Sequence, residues 1–261
     1  MHIKILSKKD NKIVFLLKDA HNVFANTLRR IMLSEVPTLA VKTVTFVKNT
    51  SALFDEIIAH RLGMLPLVTD LESYALPSKC SCKGAGCVKC QVSFTIKAEG
   101  PLTVYASDLK SQDPKIKPAF GKMPLVQLLK GQELEFEAIV TLGIAKDHAK
   151  YNAGLVYYIG EPKVTINKTN NPEDVEKSCP TNVFELKGKQ LKVVAEDKCI
   201  LCNACVDINN PKEGIEVEAS EKNFIFTIES YGKFTPEVML CKALDVLDDK
   251  LSEFEVALEK V

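Results

Sequence analysis

The sequence predicts an α+β protein with more than one folded domain. Its 261 residues are enough for one large domain or for two to three small ones. Strand-like apolar runs, separated by Pro- and Gly-marked turns, fill the middle of the chain, whereas helical periodicity is clearest near its two ends. Eight of the nine cysteines fall into two groups with metal-ligand spacing, which predicts two metal-binding segments within the chain.

The N-terminal part predicts a β-hairpin and then an amphipathic helix. The hairpin comprises two apolar runs around a polar turn. Asp19 or Asn22 can cap the helix, which continues to about Glu35 and is stopped by a proline soon after. Arg29 and Arg30 lie off its apolar stripe. The stripe follows a helical period and contains Val23, Phe24, Leu28, Ile31, Met32 and Val36.

The middle of the chain predicts mainly β structure. Residues 53–63 predict a second helix, which Gly63 ends, and residues 167–172 predict a linker rich in Asn. Runs rich in β-branched and aromatic residues predict the strands. In chain order, the predicted strands are residues 2–6, 12–17, 41–47, 92–98, 134–142, 155–166, 183–186, 191–195, 215–218 and 224–228.

The last predicted element is a long helix that begins at Pro236, a position where proline is tolerated. Its apolar residues are spaced alternately by four and three, which is a heptad pattern. They are Leu240, Leu244, Leu247, Leu251, Phe254, Leu258 and Val261. Packing against the chain's own core would explain part of this stripe, but its regularity favours a partner helix. Cys241, within the same helix, is expected to be a small buried residue.

Three closely spaced cysteines and one distant cysteine predict an iron–sulfur cluster. Cys199, Cys202 and Cys205 form Cys-x2-Cys-x2-Cys, and Cys179 precedes a proline. This is the ligand set of one cubane cluster in a bacterial-type ferredoxin. The cysteine that would serve a second cluster is replaced by Asn209, so one cluster is expected, with either four or three irons. A structural zinc site with the same four ligands is the alternative.

A second group of cysteines predicts a structural zinc site. Cys80, Cys82, Cys87 and Cys90 lie in a short glycine-containing loop, so four thiolates can close a tetrahedron around one ion. Three neighbouring lysines would offset the negative charge of such a centre. A second iron–sulfur cluster and an empty or vestigial site are the alternatives.

Composition excludes several classes of protein. The formal net charge is zero, which argues against a main role in binding DNA or an acidic membrane surface. The N-terminus is too polar for a signal peptide, and no stretch has the length of a membrane helix. Clustered thiols without such a signal predict metal sites in a reducing cytoplasm. The four histidines lack metal or triad spacing, and no phosphate loop or magnesium-binding acidic run occurs, so we expect no active site on this chain.

Several stretches resemble the alpha-type assembly subunits of multisubunit RNA polymerases. Residues 26–34 (Asn-Thr-Leu-Arg-Arg-Ile-Met-Leu-Ser) are similar to the first helix of that family. Residues 56–66, with Ala-His-Arg-Leu-Gly and then Leu-Pro, resemble its next signature, and residues 143–150 (Gly-Ile-Ala-Lys-Asp-His-Ala-Lys) resemble a third. The four-cysteine loop is similar to the zinc loop of the eukaryotic counterpart, and an inserted ferredoxin-like cluster segment is a feature of the archaeal D-type members. The likeness covers nearly the whole chain.

The resemblance implies a division of the chain into three domains. Residues 1–45 and 215–261 would form a dimerisation domain, residues 46–165 an inserted mainly-β domain with the zinc loop, and residues 166–214 a ferredoxin-like iron–sulfur domain. The small polymerase subunit L would pair with the first and last helices. The heterodimer would be a platform for the large catalytic subunits, towards which Arg29 and Arg30 would face. This chain would contact DNA only as part of the assembled enzyme, the nucleotidyltransferase that carries out transcription.

Two other classes of function are weighed against this resemblance. A ferredoxin-like electron-transfer subunit of an oxidoreductase would use the cluster, but a second cluster and any flavin or nicotinamide motif are missing from the sequence. A zinc-containing nucleic-acid binder would use the cysteine loop, but the zero net charge and the lack of an aromatic–basic stripe count against it. Neither class needs the heptad helix.

Overall fold

The computed structural model describes residues 1–260 and contains five α-helices and twelve β-strands in that range. The helices are α1 (Asn22–Ser34), α2 (Asp55–Gly63), α3 (Pro172–Ser178), α4 (Ala204–Ile208) and α5 (Pro236–Leu258). The strands are β1 (His2–Lys9), β2 (Lys12–Lys18), β3 (Thr38–Asn49), β4 (Gln91–Glu99), β5 (Leu102–Tyr105), β6 (Lys110–Ser111), β7 (Pro124–Leu128), β8 (Glu133–Gly143), β9 (Gly154–Ile166), β10 (Phe184–Lys187), β11 (Gln190–Val193) and β12 (Ile215–Ser230). The α+β composition agrees with the sequence prediction.

The chain forms two compact units, each built from segments distant in sequence. The first unit consists of Met1–Lys8, Ile13–Thr27 and Tyr157–Thr227. The second consists of Lys9–Lys12, Leu28–Val156 and the described residues from Ile228 onward. Of residues 1–260, none belongs to a helix long and apolar enough to cross a bilayer.

The first unit is organised on a four-stranded sheet with the order β1-β2-β12-β9. Phe15 of β2 stacks on Phe226 of β12 with ring centroids 5.3 Å apart, and Tyr158 of β9 stacks on the same Phe226 at 5.0 Å. Aromatic rings on three neighbouring strands thus cover one face of the sheet. The two strands predicted at 215–218 and 224–228 are one continuous strand, which runs through residues 219–223 although four of these are polar.

The second unit contains a four-stranded sheet with the order β3-β8-β4-β6 and a small β5-β7 sheet. β8 pairs antiparallel with β3 and with β4 over most of its length. Alternate residues of β4 and β8, among them Phe94 and Phe136, point into one core. Helix α2 covers that core with Ile58 and Leu62, both fully buried.

Helix α1 lies where the sequence predicts it, but its cap and part of its buried face differ. The Val23 N–H donates to Nδ1 of His21 at 3.2 Å, so a histidine takes the capping role expected of Asp19 or Asn22. Asp19 instead adopts a left-handed backbone with φ of 53°. Val23 is exposed, contrary to the predicted stripe. The buried residues of the helix are Ala25, Leu28, Ile31 and Met32.

Helix α5 packs on its own unit through a face that the heptad pattern does not include. Thr235 caps the helix by accepting a hydrogen bond from the Val238 N–H, and the buried side chains are Pro236, Met239 and Ala243. Lys250 pairs with Glu35 at 3.0 Å on the same side. Cys241 is exposed, so the prediction that it is buried was wrong.

Candidate metal centres

The four-cysteine loop lies in the second unit, directly before strand β4, and folds as two tight turns. The Lys83 N–H donates to the Cys80 carbonyl at 2.9 Å, and the Cys90 N–H donates to the Cys87 carbonyl at 2.9 Å. Lys83 and the two loop glycines all have positive φ angles, between 52° and 89°. A left-handed backbone is costly for Lys and free for Gly, which explains why glycines are needed where the chain reverses. The turns direct all four thiols inward.

The spacing of these thiols fits a single tetrahedral zinc ion. A zinc centre with Zn–S bonds of about 2.3 Å holds its sulfur atoms about 3.8 Å apart. The Sγ–Sγ distances here are 3.5 Å from Cys82 to both Cys80 and Cys90, 3.6 Å from Cys80 to Cys87, and 3.8 Å from Cys87 to Cys90. All four sulfur atoms lie within 4.8 Å of one another. The donor set therefore already has the dimensions of a four-thiolate zinc site.

The protonation of the loop is uneven in the absence of a metal ion. Hydrogen bonding, first with Cys80 and then with Cys90, lowers the pKa of Cys82 to about 6. Burial raises the pKa of Cys90 to about 12. The pKa values of Cys82 and Cys90 thus lie far apart, because neighbouring thiols do not readily ionise together. A divalent cation would remove this conflict by holding all four as thiolates.

Replacing one ligand should release the metal and destabilise the second unit. For Cys90→Ser we expect zinc content to fall from about one atom per chain to near zero, since a three-thiolate site with a weak fourth donor loses most of its affinity. Atomic emission on the purified chain measures this, and limited proteolysis should then cut within residues 80–90. Cys241→Ser, which removes an exposed thiol outside the loop, is the matched control. Full zinc retention in Cys90→Ser would contradict the assignment.

The second cysteine group lies in the first unit, around a small apolar cluster. Cys199 and Cys205 are buried, Cys179 is half-buried and Cys202 is exposed. Leu201 and Asn203 have φ angles of 58° and 60°; these left-handed residues turn the backbone tightly between the three cysteines of the loop. Cys205 is the second residue of the short helix α4. Six buried apolar residues belong to the same cluster as these cysteines: Val164, Val175, Val183, Phe184, Leu191 and Ile215.

Cys179 is brought to this loop from the end of helix α3. Burial opposes ionisation of its thiol, but hydrogen bonds from the backbone of Val183 and Thr181 outweigh it and lower the pKa of Cys179. The Val183 N–H lies 3.4 Å from the sulfur. Burial raises the pKa of Cys199, and the charges of Cys179 and Cys202 raise it further, so these thiols share one electrostatic environment. N–H donors aimed at sulfur are typical of iron–sulfur ligation.

These four thiols are too widely spaced to hold one zinc ion as they stand. Within residues 1–260, the loop from Cys80 to Cys90 is the one group of three or more ligating side chains whose donor atoms all lie within 4.8 Å. Ligands of a cubane bind different irons on separate corners, and so they stand farther apart than ligands of one ion. Among the described residues, Cys179, Cys199, Cys202 and Cys205 are therefore not gathered around a single point as the first four thiols are.

Asn209 has a structural role where a two-cluster ferredoxin would have a cysteine. Its side chain is buried, and its amide nitrogen donates to the carbonyls of Lys168 at 3.0 Å and Pro211 at 2.6 Å. These hydrogen bonds connect the residue that follows helix α4 to Lys168, which precedes helix α3, and to Pro211. Asn209 thus holds two backbone segments together through its side chain. The sequence shows only that a cysteine is missing at this position and does not predict these hydrogen bonds.

The predicted partner-binding side chains lie on two helices. On α5, Leu251 is 53% exposed and Phe254 is 61% exposed, and Leu244 and Leu258 are also exposed. Leu240 and Leu247 are half-buried, and Val261 lies outside the described residues. On α1, Arg30 is exposed and Arg29 is half-buried. The heptad face is therefore largely uncovered in the isolated chain.

Comparisons with known proteins agree on one family. Residues 43–157 match the family described as RNA polymerase Rpb3/RpoA insert domain. A DNA-directed RNA polymerase subunit Rpo3 from Methanosphaera stadtmanae is 41% identical over 262 residues, covering 96% of both chains. Proteins of the same name from Methanosarcina acetivorans and Pyrococcus furiosus are 39% and 38% identical, covering all of this chain and 99% and 98% of their own lengths.

Proposed function

Because this chain belongs to the Rpo3 family of archaeal DNA-directed RNA polymerase subunits, we propose that it is a non-catalytic assembly subunit of such an enzyme. It takes part in RNA synthesis only as one subunit of the polymerase, and its partners are other polymerase subunits. The finer proposal is that it forms a heterodimer with the small subunit L. That heterodimer is the platform on which the large catalytic subunits assemble, and DNA is reached only through the complete complex.

The uncovered heptad face of α5 is the observation that carries this proposal. Fully burying an exposed Leu or Phe side chain stabilises a complex by about 1.5–3 kcal/mol, and the face offers several of them along consecutive turns. Their alternating spacing matches a partner helix. The helix uses Met239 and Ala243 for its own unit, so the heptad face is available to a second chain.

The domain proposal follows the family architecture. Residues 1–45 and 215–261 form the dimerisation domain, residues 46–165 the inserted domain and residues 166–214 the ferredoxin-like domain. Arg29 and Arg30 of α1 face the large subunits; a guanidinium can form paired hydrogen bonds with a carboxylate there.

The metal centres have structural roles in this proposal. The loop from Cys80 to Cys90 holds zinc, supported by its sulfur–sulfur distances. Cys179, Cys199, Cys202 and Cys205 hold one cubane cluster of four irons, or its three-iron form. With Asn209 fastening the backbone where a second cluster would need a thiolate, a single cluster suits a structural or oxygen-sensing role better than electron transfer.

Native purification tests the proposal. We would tag the chain in the cells that produce it, purify it without oxygen and assay iron, sulfide and zinc across a sizing column. Elution with much larger chains and a small subunit, in an assembly that makes RNA from a DNA template, with roughly one cubane and one zinc per copy, is the expected result. Elution alone or with a flavoprotein, accompanied by dye reduction, would overturn it.

A further inference from the structure

A cavity in the second unit has an apolar rim and a buried lysine in its wall. Its volume is about 440 Å³. Met64, Phe120, Met123 and Tyr231 contribute exposed apolar surface around it. Lys233, in the turn between β12 and α5, lines the same cavity, although its side chain is only 4% exposed. The heptad face of α5 lies on other residues, so this is a separate surface.

Lys233 is held in place by a network of buried polar groups. Its Nζ donates to the Lys150 carbonyl at 2.6 Å and to Thr38 Oγ1 at 3.2 Å, and its own carbonyl accepts from the Thr69 N–H at 3.1 Å. Gly232 before it has a φ of 86°, and a Cβ there would lie 2.9 Å from Ala119. The turn thus needs glycine, and the lysine that follows has little freedom to turn away.

Among the described residues, no carboxylate pairs with the buried ammonium group. Within residues 1–260, Nζ makes the two hydrogen bonds above, to neutral oxygens, which leaves a third N–H. The carboxylate on the same cavity, Glu229, is paired with Lys12 at 3.4 Å. Burying an unpaired charge is costly, and burial accordingly lowers the pKa of Lys233 to about 7. A carboxylate from outside the chain would provide the missing counter-charge.

The lining selects among anionic ligands. Phosphate sites usually have several N–H donors or arginines that converge, whereas this cavity offers one buried ammonium. The other lysine on it, Lys150, already donates its Nζ to the Val41 carbonyl at 2.9 Å. Glu229 at the rim would also repel a dianion. An acidic side chain has a single charge and an aliphatic stem, and so it matches both the buried ammonium and the methionine and aromatic rim.

We infer that this cavity binds an Asp or Glu side chain of another RNA polymerase subunit, with its carboxylate on the Lys233 ammonium and apolar neighbours on the rim. The rim is an exposed apolar surface of the kind that marks protein interfaces, and interface hot spots lie in desolvated pockets surrounded by contacts that exclude water, as a carboxylate on Lys233 would. The inference rests on the chain's place in the polymerase and is independent of the proposed pairing with L.

Zero-length cross-linking in the assembled enzyme identifies the occupant. A carbodiimide joins an amine to a carboxylate in direct contact, and mass spectrometry then reads the linked peptides. We expect a peptide that links Lys233 to an acidic residue of another subunit, formed in the complex and absent from the free chain. A Lys233 linked only to acids of its own chain, or unlinked while other lysines react across subunits, would overturn the inference.

Substitution measures the contribution of the pair. Lys233→Met removes the charge and keeps the length. Because it leaves the Lys150 carbonyl and Thr38 Oγ1 without the Nζ donor, we expect the free chain to melt a few degrees lower and to remain folded. Binding of the cross-linked subunit should weaken by at least roughly 30-fold. Lys130→Met, on an exposed turn, is the control. Substituting the partner's acid by its amide should cause the same loss, with no further loss in the double variant; additive losses would refute a direct pair.

These variants also separate the two proposals. Pairing through α5 should be unchanged in Lys233→Met, so a chain that binds the small subunit but loses another subunit supports the cavity alone. Unchanged binding of every subunit in Lys233→Met would refute the cavity proposal and leave the heptad proposal in place.

Discussion

A chain carrying Leu251→Glu and Phe254→Glu should fold normally and fail to bind its small partner subunit. Both side chains are exposed in the free chain, so two carboxylates there cost the monomer little. In the complex they would be buried in a heptad seam without counter-charges, which is strongly unfavourable. We expect affinity to fall by at least roughly a thousandfold, which corresponds to about 4 kcal/mol. Co-elution of the two purified chains, with calorimetric titration, measures it.

Val256→Glu is the matched control for this experiment. Val256 is 50% exposed on the same turns of α5, yet at about 100° per residue it lies roughly on the opposite side from the centre of the heptad stripe. The Val256→Glu chain should therefore bind the partner nearly as well as the unmodified chain. Equal loss of binding in Val256→Glu, or full binding by the double glutamate variant, would place the interface elsewhere.

Replacing Cys199 and Cys202 by serine should abolish iron binding and release the chain from the polymerase. The segment from Pro172 to Gly214 is on the order of 40 residues long, a size at which apolar burial alone rarely sustains a fold without a metal or disulfide. We expect iron and sulfide to fall to near zero and amide hydrogens of β10, β11 and α4 to exchange faster. Yield of the native polymerase complex should fall severalfold.

Zinc in the same samples provides the internal control for this second experiment. It should stay at about one atom per chain, because the zinc loop belongs to the other compact unit. Native yield of the complex from the double serine variant would show that the cluster is dispensable for assembly. Zinc in place of iron at native occupancy in the unmodified chain would favour the alternative metal.

Long periodic segments were predictable from the sequence because their side-chain pattern already encodes burial. The hairpin β1–β2, helix α1 and helix α5 are of this kind. The helices α3 and α4 were missed, since seven and five residues carry too little periodicity; tertiary contacts through Val175 and Cys205 fix them instead. The cap of α1 was missed because histidine at this position accepts through a ring nitrogen, which the usual capping residues do not have.

The type and number of the metal ligands were predictable, but the distances between their sulfur atoms were not. The separation of cysteines in the sequence restricts which thiols can converge. The distances between sulfurs, which distinguish zinc from a cluster, depend on backbone conformations such as that of the left-handed Leu201. Lys233 carried no signal at all, because a lysine after Tyr-Gly in a turn is ordinarily solvated. Its burial depends on Thr38 and Lys150, which lie far from it in the sequence.

The exposed end of α5 has a consequence for the lifetime of the chain. All residues from 251 to 260 are exposed, and a helical turn without packing depends on its own weak propensity and frays. On the proposed pairing, a chain synthesised in excess of its partner displays this exposed apolar helix segment, which is the kind of segment that cellular proteases engage first. The partner helix would cover the segment, so the proposal links the abundance of this chain to the supply of its partner.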